Sequence, residues 1–169
     1  MVRLYLTYCS RNKNNISKGT PEQLYSSNRI IKFIALCKSR KLNWAILSAK
    51  YGLFFPNEIH KNYDVTFKTV NEKCRIVENG KLILRKESDE RIAALIRKIR
   101  NQMREREVKE FIFFVDKPWI RKKCYLFILH ATVDNCSSHK RWNGIVEHIM
   151  NLYENGKGKI KLISSLTEI

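Results

Sequence analysis

Two short apolar runs with one helix-forming stretch between them constrain this fold most. Residues 2–8, VRLYLTY, read as a strand, and residues 43–48, NWAILS, supply a second, buried one. Between them Thr20, Pro21 and Gln23 form a helix start, with a hydroxyl cap, proline at the first helical position and a capping-box partner three residues on. The helix is expected to run to about Arg40, with Leu24, Ile31, Ile34 and Cys37 on its apolar face and Arg29, Lys32 and Lys38 largely elsewhere. Strand, helix and strand in this order indicate a right-handed crossover into a parallel pair, the unit of doubly wound sheets.

Residues 49–64, AKYGLFFPNEIHKNYD, read as a structured loop because Gly52 and Pro56 interrupt them. Asn79-Gly80 between apolar runs is the preferred centre of a tight hairpin turn, so residues 74–86 are expected to form a small β-hairpin insertion. Residues 87–106 carry a helical stripe of Ile92, Leu95, Ile96, Ile99 and Met103. Residues 111–115 read as a buried strand, 117–133 and 143–153 as helices, and 159–166 as a closing strand. The expectation is an α/β fold: a single three-layer domain spanning residues 1–169, with a mainly parallel sheet and helices on both faces.

A chain of 169 residues with 44% hydrophobic content holds enough apolar surface for a packed core. Its 33 Lys and Arg against 16 Asp and Glu leave a formal charge of +17, spread over both halves. Such a charge suits phosphate-bearing partners, nucleic acid or nucleotide, whose binding weakens with salt; a basic solubility surface is the plain alternative. Cys9, Cys37, Cys74, Cys124 and Cys136 are odd in number and widely spaced, which does not suggest a disulfide framework, and Cys37 and Cys124 read as core filler. Neither they nor the four histidines have zinc-site spacing, so no metal and no cofactor is expected. No apolar run approaches the roughly 20 residues that span a bilayer, and nothing resembles a secretory signal, so no membrane partner and a cytoplasmic location are expected.

In an open α/β sheet the site lies beyond the carboxyl ends of the strands. The loops at residues 9–19 and 49–64 both fit, which makes Cys9, Ser10, Lys13, Ser48, Lys50, Tyr51, Gly52 and Tyr63 candidate ligand-binding residues. Asp64 is the candidate acid or base, and Cys9 the candidate nucleophile if there is one. Each also has a structural reading, in which Gly52 permits a turn, the tyrosines pack the loop and Asp64 caps amides. Arg97, Arg100 and Arg104 on the long helix, with Lys140 and Arg141 in the stretch CSSHKRW, are candidate nucleic-acid contacts, although solvated helix faces are commonly charged. Trp119, after the strand FIFFV, is a candidate stacking residue or a packing anchor. No GxGxxG or GxxxxGK[ST] is present.

The stretch from Ile46 through Ser48-Ala49-Lys50-Tyr51-Gly52-Leu53 to Pro56 and Tyr63-Asp64 resembles the LSxxYGLLxPxxxIxxY signature of YaaA-like proteins. Small relatives of that group look closer still, with a CSxxK-like stretch and an ELY-like helix start that Cys9-Ser10 to Lys13 and Gln23-Leu24-Tyr25 resemble. The match covers about residues 4–67. It implies an α/β fold with a cleft and, for YaaA itself, DNA binding and a role in resistance to oxidative stress; it carries over no reaction. Three functions therefore stand open: nucleic-acid or nucleotide binding, an enzyme acting on a nucleobase or N-glycosidic bond, and a stress or defence interaction module.

Overall fold

The chain alternates strands and helices from its first described residue. In the computed structural model, residues 2–115, 123–134, 147–149, 151–152, 154–156 and 158–169 are described. Strand β1 (Val2–Tyr8) leads through β2 (Lys18–Gly19), α1 (Pro21–Leu24) and α2 (Asn28–Ser39) to β3 (Trp44–Ser48). Five short strands follow: β4 (Gly52–Phe54), β5 (His60–Lys61), β6 (Val65–Val70), β7 (Lys73–Glu78) and β8 (Lys81–Leu82). Helix α3 (Arg85–Glu105), β9 (Val108–Phe114), α4 (Lys123–Asp134) and β10 (Ile160–Ile163) complete the described elements, with a 3-10 turn at Leu166–Glu168.

The main sheet has five strands in the order β10-β9-β1-β3-β4, and the first four are mutually parallel. Neighbouring residues of a strand point to opposite faces, and β9 shows which helix covers which. Phe33 of α2 stacks on Phe114, while Phe113 meets the ring of Tyr8, which packs against Tyr125 of α4. Phe33, Phe54, Phe111 and Phe113 are among the largest fully buried side chains.

The sequence expectation of one mainly parallel, three-layer domain is corrected here: the fold is mixed α/β, with three sheets among the described residues. Beside the main sheet stand two antiparallel ones, β2 with β5 and the three-stranded β6-β7-β8. Even the main sheet has an antiparallel edge, because β4 folds back on β3 with Ser48 opposite Gly52. The reason lies in residues 52–82, which form five strands: β4 and β5 fall in the stretch 49–64 that read as a loop and are too short to show a period, and β6 adds a strand before the expected hairpin. The Asn79-Gly80 turn does join two of them, β7 and β8, with positive φ at both residues.

Three further expectations change. The first helix is broken: Thr20 and Gln23 form their capping box, but α1 stops after one turn and Ser27 caps a fresh helix by accepting from the Ile30 N–H. That restart moves Ile31 off the buried face, leaving it half exposed, while Ile34 and Cys37 stay buried. Cys124 is more than filler, since it forms a disulfide with Cys74 that ties β7 to α4. The expected helix over residues 143–153, the start of that over 117–133, Trp119 and the stretch CSSHKRW fall wholly or partly outside the described residues. Among the described residues no helix is long and apolar enough to cross a membrane.

Candidate functional site

The topology brings the strand ends into play. The chain leaves β1 toward β3 on one side, and β9 pairs with β10 on the other, so connections diverge beside β1 at its carboxyl end, where open α/β sheets carry their sites. Cys9 stands there, with its N–H donating to Leu47 O at 2.9 Å and its Sγ 3.2 Å from the Tyr125 hydroxyl. Ser48, fully buried at the end of β3, accepts from the N–H groups of Lys50 and Tyr51 and donates to the Tyr63 hydroxyl at 2.9 Å. Tyr63 in turn hydrogen-bonds the Tyr25 hydroxyl. Burial pushes the phenols of Tyr25, Tyr63 and Tyr125 well above the usual tyrosine range, so all three are neutral at physiological pH.

The two loops are stitched together by their backbones. Strand β2 pairs with β5, and the Asn62 amide donates to the carbonyls of Asn14 and Ile16. Lys13 forms a bridge with Tyr25 and carries its ammonium 4.2 Å from the Tyr63 ring centre and 5.8 Å from that of Tyr25. Burial lowers the Lys13 pKa, and the nearby Cys9 and Asp64 oppose that shift in part. Among the described residues its ammonium makes no ion pair and no hydrogen bond, and its nearest contacts are the tyrosine faces. Arg29 closes the other flank, its guanidinium carbon over the Tyr8 ring at 3.6 Å from the ring centre, donating to the Thr7 hydroxyl and reaching Cys9 O at 3.5 Å.

The remaining candidates have mixed placements. Ser10 Oγ accepts the Asn12 N–H and so shapes the loop. Lys50 is exposed, its ammonium 5.5 Å from the Tyr51 ring. Tyr51 holds the second loop: it stacks on His60 at 4.2 Å, donates to Lys61 O and meets Tyr63 edge-on. Gly52 has φ of +72°, and a Cβ there would lie 2.7 Å from Gln102 Oε1, the atom that accepts the Leu53 N–H. Asp64 is exposed, its carbonyl accepts the Asn79 N–H, and its carboxylate makes no hydrogen bond among the described residues. Arg97 and Arg104 are exposed on α3, whereas Arg100 turns inward to donate to Ala131 O on α4. Lys140 and Arg141 lie outside the described residues. Among those residues no group of three His, Cys, Asp or Glu side chains is placed to hold a metal ion.

Three members of the cluster were not assigned a role from the sequence. Tyr25 was visible only as part of the ELY-like start; Arg29 read only as lying off the helix's apolar face, and Tyr125 as one position of an apolar run. Only the long-range contacts of the fold reveal them.

A family model described as a family of unknown function (DUF6884) matches residues 4–126. The chain belongs to DUF6884. The DUF6884 match runs from β1 into the first residues of α4 and so contains the whole cluster, from Thr7, Cys9 and Lys13 to Tyr125. No curated protein and no solved structure matches the chain.

Proposed function

We propose that this DUF6884 protein binds a nucleotide, free or within nucleic acid, at the carboxyl ends of β1 and β3. Lys13 takes a phosphate, and the hydroxyls of Tyr25, Tyr63 and Ser48 with the Cys9 thiol form the polar floor. The observation that carries this is the Lys13 ammonium, partly desolvated on a tyrosine face, forming no ion pair among the described residues and feeling Asp64 only at longer range. An ammonium so placed gains from an anion what water no longer supplies, and the low local dielectric strengthens that attraction. The +17 formal charge adds long-range attraction for the same ligands. Kinship with YaaA-like proteins and a cytoplasmic location are part of the same proposal. An enzyme using Asp64 as acid or base is less well supported, because the Asp64 carboxylate is exposed and outside the buried hydroxyl cluster.

Titration calorimetry with adenosine and guanosine monophosphates at low salt tests it. Binding is expected, falling as salt rises. It is also expected to fall as pH rises through the lowered Lys13 pKa, because the ammonium is lost there and phosphate no longer has its partner. Failure of every mononucleotide and of short oligonucleotides to bind would refute the reading.

A further inference from the structure

The cations of α3 change character along the helix. In its first half Arg85 lies 4.0 Å from Asp89, and Arg91 reaches Glu78 at 2.8 Å and Glu87 at 3.7 Å. In its second half Arg97 and Lys98 are exposed, as is Arg106 at its end, and none of the three forms an ion pair among the described residues. All three line one hollow of about 490 Å³ between α3 and the turn after β4. Two acids line it as well, Glu58, whose carboxylate accepts the Phe55 N–H at 2.7 Å, and Glu105; neither forms an ion pair with the three cations, which outnumber them by one. The Arg106 guanidinium lies over the Phe55 ring, 3.7 Å from its centre, a cation–π contact that holds it at the hollow.

A chain of side-chain contacts links this hollow to the Lys13 site. Lys98 Nζ is 5.8 Å from the Tyr51 ring centre, Tyr51 meets Tyr63 edge-on at 5.1 Å, and Tyr63 carries Lys13. Cations alternating with aromatic rings along one path are what a single nucleic-acid strand uses, its phosphates on the cations and its bases against rings. We propose that the α3 hollow is a subsite for a backbone phosphate of a single-stranded nucleic acid whose neighbouring nucleotide occupies the Lys13 site. The proposal rests on the nucleotide reading for its second half only. Arg97 and Arg106 supply the planar forks that match phosphate oxygens, and the Asn101 amide lines the same wall.

The test compares the parent protein with Arg97→Gln/Arg106→Gln and with a charge-matched control, Arg85→Gln/Lys86→Gln, at the other end of the helix. Thermal melting first establishes that each variant is folded. Anisotropy of a labelled 12-nucleotide DNA or RNA should show the Arg97/Arg106 variant at least tenfold weaker. Its slope of log K against log salt should be shallower by about 0.7, the value for one lost phosphate contact on a single strand. Adenosine monophosphate affinity and the control variant should match the parent. Equal losses in both variants, or no loss in the first, would overturn the subsite, and so would polyglutamate binding as tightly as the oligonucleotide, which would make this an acidic-protein surface. If mononucleotides fail to bind while the Arg97/Arg106 effect persists, the Lys13 reading fails and the hollow stands as a strand-binding site.

Discussion

Replacing Lys13 by alanine is expected to weaken mononucleotide binding by tenfold to a hundredfold while leaving the melting temperature within a few degrees of the parent. The magnitude follows from a charge-assisted hydrogen bond to phosphate, worth about 1.5–3 kcal/mol. Stability should hardly move, because the lysine has no hydrogen bond or ion pair to lose among the described residues and only its contact with the Tyr63 face goes. Burial penalises its charged form, so its removal also relieves a small folding cost. The sign can be checked against pH. With its pKa depressed in the folded state, Lys13 binds fewer protons there than in the unfolded chain between the two pKa values, so its penalty on stability fades as pH rises through that window. Ligand affinity should move the opposite way over the same window, and Lys13→Ala should abolish that part of the pH dependence. A variant that binds nucleotides like the parent would show that the ammonium is a structural cation–π contact and nothing more.

Replacing Gly52 by alanine is expected to lower stability by about 2–4 kcal/mol, a fall of roughly 10 °C in melting temperature for a chain of this size. Two costs add. A side chain at φ of +72° is strained by about 1–3 kcal/mol, and the new Cβ would meet Gln102 Oε1 at 2.7 Å. Gln102 cannot yield freely, because its amide accepts from the Leu53 N–H and donates to the Leu53 and Tyr51 carbonyls, pinning β4 to α3. Gly80→Ala serves as comparison: its φ is also positive, at +76°, but the space around it is open, so it should lose the strain alone. Adding Gln102→Ala to Gly52→Ala should cost less than the sum of the single changes, since the clash vanishes with the amide. Equal melting temperatures for Gly52→Ala and Gly80→Ala would show that Gln102 does not hold β4 in this way. The effect bears on the site, because β4 follows Tyr51 and anchors one end of the second loop.

How much of this was legible before the fold was known depends on the range of each interaction. Strands β1, β3 and β9 and helix α3 follow from hydrophobic runs and periods of the right length, and the Thr20–Gln23 capping box from adjacent residues. The break after Leu24 did not, since it depends on Tyr25 pairing its backbone with Lys13 and on Ser27 restarting the helix. Strand β4 looked like a loop because three residues carry no period and its far edge is satisfied by a glutamine some fifty positions away. Arg29 read only as lying off the apolar face because its partners, Tyr8 and Thr7, are contributed by another element. The Cys74–Cys124 pairing is likewise a matter of proximity that spacing does not encode. At the site, the convergence of the two loops was anticipated from strand topology, and Cys9, Lys13, Ser48 and Tyr63 do meet. Asp64, grouped with them by its place beside Tyr63, is exposed and makes no side-chain hydrogen bond among the described residues, acting on Lys13 only through its charge.

The most direct measurement is a nitrogen-15 amide titration of the protein with adenosine monophosphate. The account requires the largest shifts at Ser10, Lys13, Tyr25, Ser48, Tyr51 and Tyr63, the residues of the two stitched loops and their floor. Shifts gathered instead around Arg3, Glu110 and Lys161, which line a separate hollow, or no shifts at saturating ligand, would contradict it.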